Sequence, residues 1–188
     1  MGNGMIWSVL LIVFIVLIAY LYNRLVRARN RASGAWSDID VQLQRRHDLI
    51  PMLVKAVEQY ANYERATIEA VTTLRAEAMN AGTVAARGQA EEGLSNGLVR
   101  LIAIAEQYPD LKANENFLNL QEELVETEDY LQFARRYYNG SVRELNTHIE
   151  TVPNNFIAQF FKFEICEYFQ VSSDKVSAVP LIDLGEDE

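Results

Sequence analysis

The sequence predicts an all-α protein, in which an N-terminal transmembrane helix precedes an elongated antiparallel bundle of about four long helices. Three observations predict this fold. Residues 5–22 form an apolar run without a charged side chain. After this run, apolar residues recur at steps of three and four, which places them along one side of a helix. No segment shows the strict apolar–polar alternation that is typical of a half-buried strand.

The apolar run, MIWSVLLIVFIVLIAYLY, reaches the length of about 20 residues that a helix needs to cross a bilayer once its uncharged flank is included. Aromatic residues stand near its two ends, as is typical of membrane interfaces: Trp7, Tyr20 and Tyr22. A cleaved signal peptide is the alternative, but a basic segment before the run and a small-residue cleavage site after it are both missing. The run is therefore predicted to be a retained anchor.

The charges of the 188-residue chain are divided by position. The chain has 17 basic and 26 acidic residues and a net charge of −9, and every acidic residue follows residue 31. The basic cluster at the end of the apolar run consists of Arg24, Arg27, Arg29 and Arg31. Because basic residues concentrate on the cytoplasmic side of a span, we expect the N-terminus outside and the bundle in the cytoplasm. The acidic balance of the bundle argues against nucleic acid as a partner.

Three segments follow from this division. Residues 1–31 are predicted to be the membrane anchor with its basic flank, residues 32–170 the helical bundle with an aromatic C-terminal arm, and residues 171–188 an acidic, flexible tail. The single cysteine, Cys166, has no partner for an internal disulfide. Its aromatic and acidic surroundings would raise its pKa, so we interpret it as a core residue rather than a nucleophile.

The first helices of the bundle are delimited by proline, glycine and capping residues. Pro51 lacks the N–H that a helix interior needs, which predicts a kink or break over residues 48–51. After a turn at residues 80–82, Thr83 is predicted to be the N-cap of a helix that ends near Tyr108.

The last long helix is predicted to be the longest one. It should run from about residue 114 to residue 151, after a turn at Pro109-Asp110. In its interior, Asn139-Gly140 is an awkward dipeptide for a helix and predicts a bend. In the preceding helix, Gly93 and Gly97 have the small-residue spacing that permits close helix packing.

Two stretches hold more charge than a bundle requires. The candidate ion-pair and interaction residues are Asp38, Asp40, Arg45, Arg46, His47, Asp48, Glu128, Asp129, Arg135 and Arg136. In one interpretation these residues form surface pairs, each contributing about 0–1 kcal/mol. In the other, arginines of one helix meet carboxylates of another inside the bundle or across a subunit boundary, where bidentate pairing fixes the register.

Catalytic and cofactor motifs are missing from the sequence. A di-metal site in a helical bundle needs Glu-x-x-His pairs, but the residues three positions before His47 and His148 are Gln44 and Leu145. Phosphate-binding glycine loops, nucleophile elbows and zinc-binding pairs are absent as well. The sequence therefore predicts no enzyme, no metal and no cofactor.

Aromatic residues are concentrated near the C-terminus. The candidates for contact with lipid or with a partner are Phe156, Phe160, Phe161 and Phe163. The segment is too short to span a membrane. Our main prediction is that it folds back and closes the bundle, and the alternative is that it lies on the inner leaflet or docks on a partner.

Four stretches of the chain together resemble the LemA family of bacterial membrane proteins. They are residues 22–30 (YNRLVRARN), 35–51 (AWSDIDVQLQRRHDLIP), 108–128 (YPDLKANENFLNLQEELVETE) and 134–139 (ARRYYN). The resemblance implies a single span, an outward N-terminus and a cytoplasmic bundle at a bacterial inner membrane. It implies no settled enzymatic activity, and similar domains occur in proteins that organise or shape bacterial membranes.

Three functions follow as hypotheses. The first is a non-enzymatic, self-associating scaffold that organises membrane proteins or membrane shape. The second is an adaptor or regulator of a particular membrane enzyme, such as a protease, which would dock on the acidic helix or the aromatic arm. The third, the least favoured, is an enzyme with an anion-binding site around residues 45–48, facing Arg135 and Arg136.

Overall fold

The computed structural model of the protein describes residues 2–61 and 63–170. Within these ranges the chain forms six helices and no strand, which confirms the all-α prediction. The helices are α1 (Gly2–Tyr60), α2 (Arg65–Asn80), α3 (Val84–Ala105), α4 (Pro109–Lys112), α5 (Glu115–Glu150) and α6 (Asn154–Phe160). The predicted acidic tail lies outside the described residues.

α1 combines the apolar span and the first bundle helix in 59 residues. Its most apolar 18 residues have a mean hydropathy of 2.7 and are almost entirely exposed, as expected of a helix that lipid surrounds. One side of the helix becomes buried at Leu21 and Leu25, and this side continues through Ala28 and Ala32. The bundle therefore begins where the apolar run ends.

Of the kink or break predicted over residues 48–51, the break is wrong, because α1 continues to Tyr60 with Pro51 inside it. Proline cannot donate to the carbonyl four residues earlier, which is that of His47. Arg75 of α2 supplies the missing donor, since its Nε lies 2.7 Å from the His47 oxygen. A side chain from a neighbouring helix thus replaces the hydrogen bond that the proline removes.

α5 runs antiparallel to α1 along most of the bundle. His148 near the end of α5 lies beside Arg24, whereas Glu126 lies beside Arg45. Between these contacts, the small residues of α1 and the large residues of α5 share one core. α5 has 36 residues and is shorter than the unbroken α1, so the prediction that it would be the longest helix is wrong. It is helical through Asn139 and Gly140.

α2 and α3 form a hairpin against the C-terminal half of α1. Thr83 caps α3 as predicted, since its side chain accepts a hydrogen bond from the Ala86 N–H at 3.1 Å. A Cβ atom on Gly97 would lie 3.0 Å from a methyl carbon of Leu74, so the glycine permits the close approach of the two helices. α3 ends at Ala105, before the predicted Tyr108.

The connection from α3 to α5 contains one more helical turn. The predicted turn at Pro109-Asp110 is the start of the short helix α4, whose first position suits the fixed φ of proline. Asn114 then caps α5, because its side chain accepts a hydrogen bond from the Phe117 N–H at 3.2 Å.

We expect Arg75→Met to destabilise the bundle by about 1–3 kcal/mol, because the His47 carbonyl would be left without a partner. In a Pro51→Ala background the same substitution should cost less, since alanine restores the backbone N–H that reaches this carbonyl. The coupling is measured by urea unfolding of four full-length proteins in detergent, with circular dichroism as the signal. The four are the unsubstituted protein, the two single variants and the double variant. An equal cost of Arg75→Met in both backgrounds would contradict it.

Candidate functional site

A cluster of charged side chains lies at the centre of the bundle, around Arg46 of α1. Arg46 is 0% exposed, and its Nη1 lies 2.7 Å from Oε2 of Glu91, which is also 0% exposed. Its Nη2 donates to the hydroxyl of Ser95 at 2.7 Å. Its Nε lies 2.7 Å from Oε1 of Glu128 but is not aligned as a hydrogen bond, so this attraction is coulombic. One guanidinium therefore connects α1 to both α3 and α5.

Glu91 is shared by two consecutive residues of α1. Its second oxygen, Oε1, lies 2.7 Å from Nε2 of His47. A fully buried carboxylate is costly unless its oxygens are paired, and here both oxygens have partners. Glu91 was not among the predicted site residues. Its position in the sequence could have identified it as a buried acid, because it lies three residues before Leu94 and seven before Leu98, on the apolar side of α3.

Arg135 of α5 adds a second cation to this cluster. Its guanidinium carbon lies 5.0 Å from the ring centroid of Phe169, in a cation–π contact. Burial lowers the pKa of Arg135, the charge of Arg46 lowers it further, and Glu128 and Glu91 partly oppose both effects. Among the described residues its Nε and Nη2 are buried without a hydrogen-bond partner.

The other predicted charges lie outside the cluster. Arg45 pairs with Glu126 at 3.0 Å, and Asp40 pairs with Arg87 at 2.7 Å, both near the surface. Asp48 accepts a hydrogen bond from Gln44, and Arg136 lies over the ring of Phe133. Asp38 and Asp129 line two different surface cavities.

The third hypothesis, an anion site around residues 45–48, finds no support in this geometry. It requires several arginines that converge with free donors. Arg45 and Arg46 face carboxylates, and Arg136 lies over an aromatic ring on the surface. Of the four arginines in this hypothesis, only Arg135 has buried donors without a hydrogen-bond or ion-pair partner among the described residues, and one arginine is not a converging set. Within the described ranges there is also no group of three metal-ligating side chains. The arrangement is suited to joining helices.

Residues 164–170 form an extended arm that two asparagines of α5 hold by its backbone. Asn146 donates to the carbonyl of Cys166 and accepts from its N–H, both at 2.9 Å. Asn139 does the same for Phe169, at 3.0 and 2.9 Å. The seven positions from Asn139 to Asn146 cover about 10 Å along a helix, and the three positions from Cys166 to Phe169 cover about the same length in an extended chain. The spacing of the two asparagines therefore matches that of the two arm residues.

The end of the arm is packed into the bundle. Phe169 is buried against Trp36, with ring centroids 6.1 Å apart, and the Tyr138 hydroxyl donates to the carbonyl of Glu167 at 2.8 Å. At Gln170 the arm crosses Gly88 of α3, where a Cβ atom would lie 2.1 Å from the Gln170 oxygen. Only glycine leaves room for the arm at this position.

Burial of the arm also affects two ionisable groups. It raises the pKa of the half-buried Cys166 thiol, in the direction that the sequence predicted. It raises the pKa of Tyr138 to about 12, with smaller contributions from Cys166 and Glu167. Neither group is activated as a nucleophile, because a raised pKa keeps each one protonated at neutral pH.

The four phenylalanines singled out in the sequence are divided between the bundle and its surface. Phe161 and Phe163 contact the ring of Tyr22, with centroid distances of 4.7 and 5.9 Å. Phe156 and Phe160 project from α6 and are exposed. The segment therefore folds back on the bundle and at the same time exposes aromatic side chains, whereas contact with the inner leaflet or with a partner stays a prediction.

The family model and one of the relatives found by comparison with known proteins both carry the name LemA. The model of the LemA family matches residues 35–183. The chain is 29% identical to magnetosome protein MamQ 2 of Paramagnetospirillum magneticum, over 90% of this chain and 74% of that protein. It is 27% identical to magnetosome protein MamQ of Magnetospirillum gryphiswaldense, with the same coverage. Protein LemA of Metamycoplasma hominis is 27% identical over 80% of this chain and 69% of its own length.

We expect Arg46→Leu to destabilise the bundle by about 3–5 kcal/mol, because it leaves the buried carboxylate of Glu91 without its cation. Arg45→Leu is the matched control. It breaks the exposed pair with Glu126 and should cost about 0–1 kcal/mol. Urea unfolding of the full-length protein in detergent measures both values. Equal losses for the two variants would show that the buried pair has no special role.

We expect Asn146→Ala to loosen the arm and to increase the rate at which a neutral maleimide labels Cys166 by roughly tenfold or more, since two hydrogen bonds of about 1 kcal/mol each are lost. Asn96→Ala, at an exposed asparagine of α3, is the control and should leave the rate unchanged. If the maleimide labels Cys166 at the same rate in the Asn146→Ala variant and in the unsubstituted protein, the asparagine does not hold the arm.

Proposed function

This chain belongs to the LemA family, and from that premise we propose that it is a non-enzymatic scaffold, anchored in a bacterial inner membrane, that self-associates through an exposed aromatic face. The family and the exposed apolar part of α1 support a membrane-associated role. The magnetosome proteins among the relatives support the same role. By self-association, the scaffold would organise membrane proteins or membrane shape.

The proposed orientation has the N-terminus outside and the bundle in the cytoplasm. It rests on the four arginines that follow the apolar run on the bundle side, because basic residues are retained in the cytoplasm. In this arrangement residues 1–31 serve as the anchor and its flank, and residues 32–170 as the cytoplasmic bundle.

The aromatic face is the observation that carries the proposal. It consists of Tyr130, Phe133 and Tyr137 of α5, together with Val41 of α1, and at least half of each side chain is exposed. The three aromatic residues are spaced by three and four, so they form one stripe on α5. They border a surface cavity of about 360 Å³ between α1 and α5. Exposed apolar patches of this kind are typical of interaction sites.

The position of the face distinguishes it from the rest of the bundle. Tyr138, Asn139 and Asn146, which hold the arm, lie on the other flank of α5 at 3.6 residues per turn. The arm and the α2–α3 hairpin thus cover one side of the α1–α5 pair. No described residue covers the aromatic face on the opposite side.

A second copy of the chain is the partner that this face suits best. Copies anchored in one membrane stand parallel, so a two-fold axis along the membrane normal brings the same face of each copy together. Asp38 borders the face on α1, and Arg136 lies 4.7 Å from the ring centroid of Phe133 on α5. Under two-fold symmetry an acidic edge and a basic edge are self-complementary.

We expect Phe133→Glu to abolish self-association, because it places a carboxylate in the centre of the contact. Energy transfer between donor-labelled and acceptor-labelled copies of the full-length protein in lipid vesicles measures the association. Val99→Glu on α3 is the matched control, since Phe133 and Val99 are 60% and 67% exposed. It should leave the energy transfer unchanged.

Two results would contradict this proposal. If the unsubstituted protein shows no energy transfer and crosslinking in cells recovers no second copy, it is not a self-associating scaffold. If Val99→Glu removes the energy transfer and Phe133→Glu does not, the contact lies on α3 instead. Recovery of one membrane enzyme, such as a protease, in place of a second copy would favour the adaptor function.

A further inference from the structure

The turn after α5 and the helix α6 expose three apolar side chains in a row. Val152, Phe156 and Phe160 are spaced by four residues and are 71%, 64% and 79% exposed. On the other side of α6, Asn154 and Ala158 are buried against the bundle. α6 is therefore a short amphipathic helix whose aromatic side faces away from the protein.

Two independent contacts place α6 at the level where the apolar run ends. The last turn of α5 lies beside the start of the bundle, because Arg24 Nε donates to His148 Nε2 at 3.2 Å. Just after α6, the ring of Phe161 lies 4.7 Å from that of Tyr22, the last residue of the apolar run. α6 lies between these two contacts along the chain, so it is close to the membrane boundary of α1.

We propose that α6 is a second membrane contact, in which Phe156 and Phe160 enter the boundary between headgroups and acyl chains of the leaflet next to Tyr22. Phospholipid is the expected occupant because Phe160 packs on Phe161, with ring centroids 5.0 Å apart, and Phe161 packs on Tyr22 at the end of the apolar run. Aromatic side chains are favoured at this depth. Arg24, Arg27 and Lys162 are exposed near the same level, where lipid phosphates would lie.

This contact would fix the bundle relative to the membrane. A single helix leaves an attached domain free to rotate about the helix axis, whereas a second contact beside it removes that freedom. Every copy would then present its aromatic face at the same rotational setting about the axis of α1. The inference rests on the part of the proposed function in which α1 spans the membrane, and it does not depend on self-association.

Quenching of tryptophan fluorescence by brominated lipid tests the proposal. The probes are Phe156→Trp and Phe160→Trp, each in a full-length Trp7→Phe background, in vesicles of phosphatidylcholine and phosphatidylglycerol with bromine on the upper acyl chain. Trp36 remains in every variant as a reference, because it lies within the bundle against Tyr138. Val99→Trp, in the same Trp7→Phe background, is the matched control, with 67% exposure at residue 99 against 64% for Phe156.

We expect brominated lipid to quench the new indole in both α6 variants and to leave the emission of the Val99→Trp variant unchanged. Equal quenching of the Phe156→Trp and Val99→Trp variants, or none in either α6 variant, would overturn the proposal. Quenching of Trp7 in the unsubstituted protein tests the span separately. Quenched Trp7 with unquenched α6 variants would therefore reject the second contact and leave the anchor in place. Unquenched Trp7 together with unquenched α6 variants would reject both.

Discussion

The buried guanidinium of Arg46 is the constraint on which the bundle depends. It is fully enclosed and faces carboxylates from two other helices, Glu91 of α3 and Glu128 of α5. An apolar core tolerates small sliding of one helix past another, but a buried ion pair does not, because displacement leaves charges without partners. Another register of α3 and α5 on α1 would leave these charges unpaired, although replacing the pair with apolar residues of similar volume need not lower stability.

The neighbouring turns of α1 attach α2 at the same level of the bundle. Pro51 removes a donor, and the carbonyl of His47 that loses it is reached by Arg75 of α2. His47 also contacts Glu91 through its side chain. A local defect of α1 thus becomes a point of attachment for α2. Toward the membrane, α5 and the arm continue the bundle with asparagine contacts and aromatic packing in place of buried charge.

Local patterns of the sequence were sufficient for the helical fold, the apolar span and the cap at Thr83, since each depends on residues close together in the chain. The continuity of α1 through Pro51 was not predictable in this way, because the compensating donor, Arg75, is 28 residues from the carbonyl it reaches. For the same reason Glu91 was missed as the partner of Arg46. The two asparagines that hold the arm were equally hidden, and Asn139 had drawn notice only as a poor helix former.

The continuity of α1 gives the protein a mechanical property. From Tyr22 to Tyr60 the helix is unbroken over a length of about 57 Å. A change of about 10° in the tilt of its membrane part would move the far end of the bundle by about 10 Å. In the proposed membrane arrangement, bilayer thickness and curvature, which affect the tilt of a span, would thus be converted into displacement of the far end of the bundle. If α1 spans the membrane as proposed, its continuity would couple the tilt of the span to the position of the bundle.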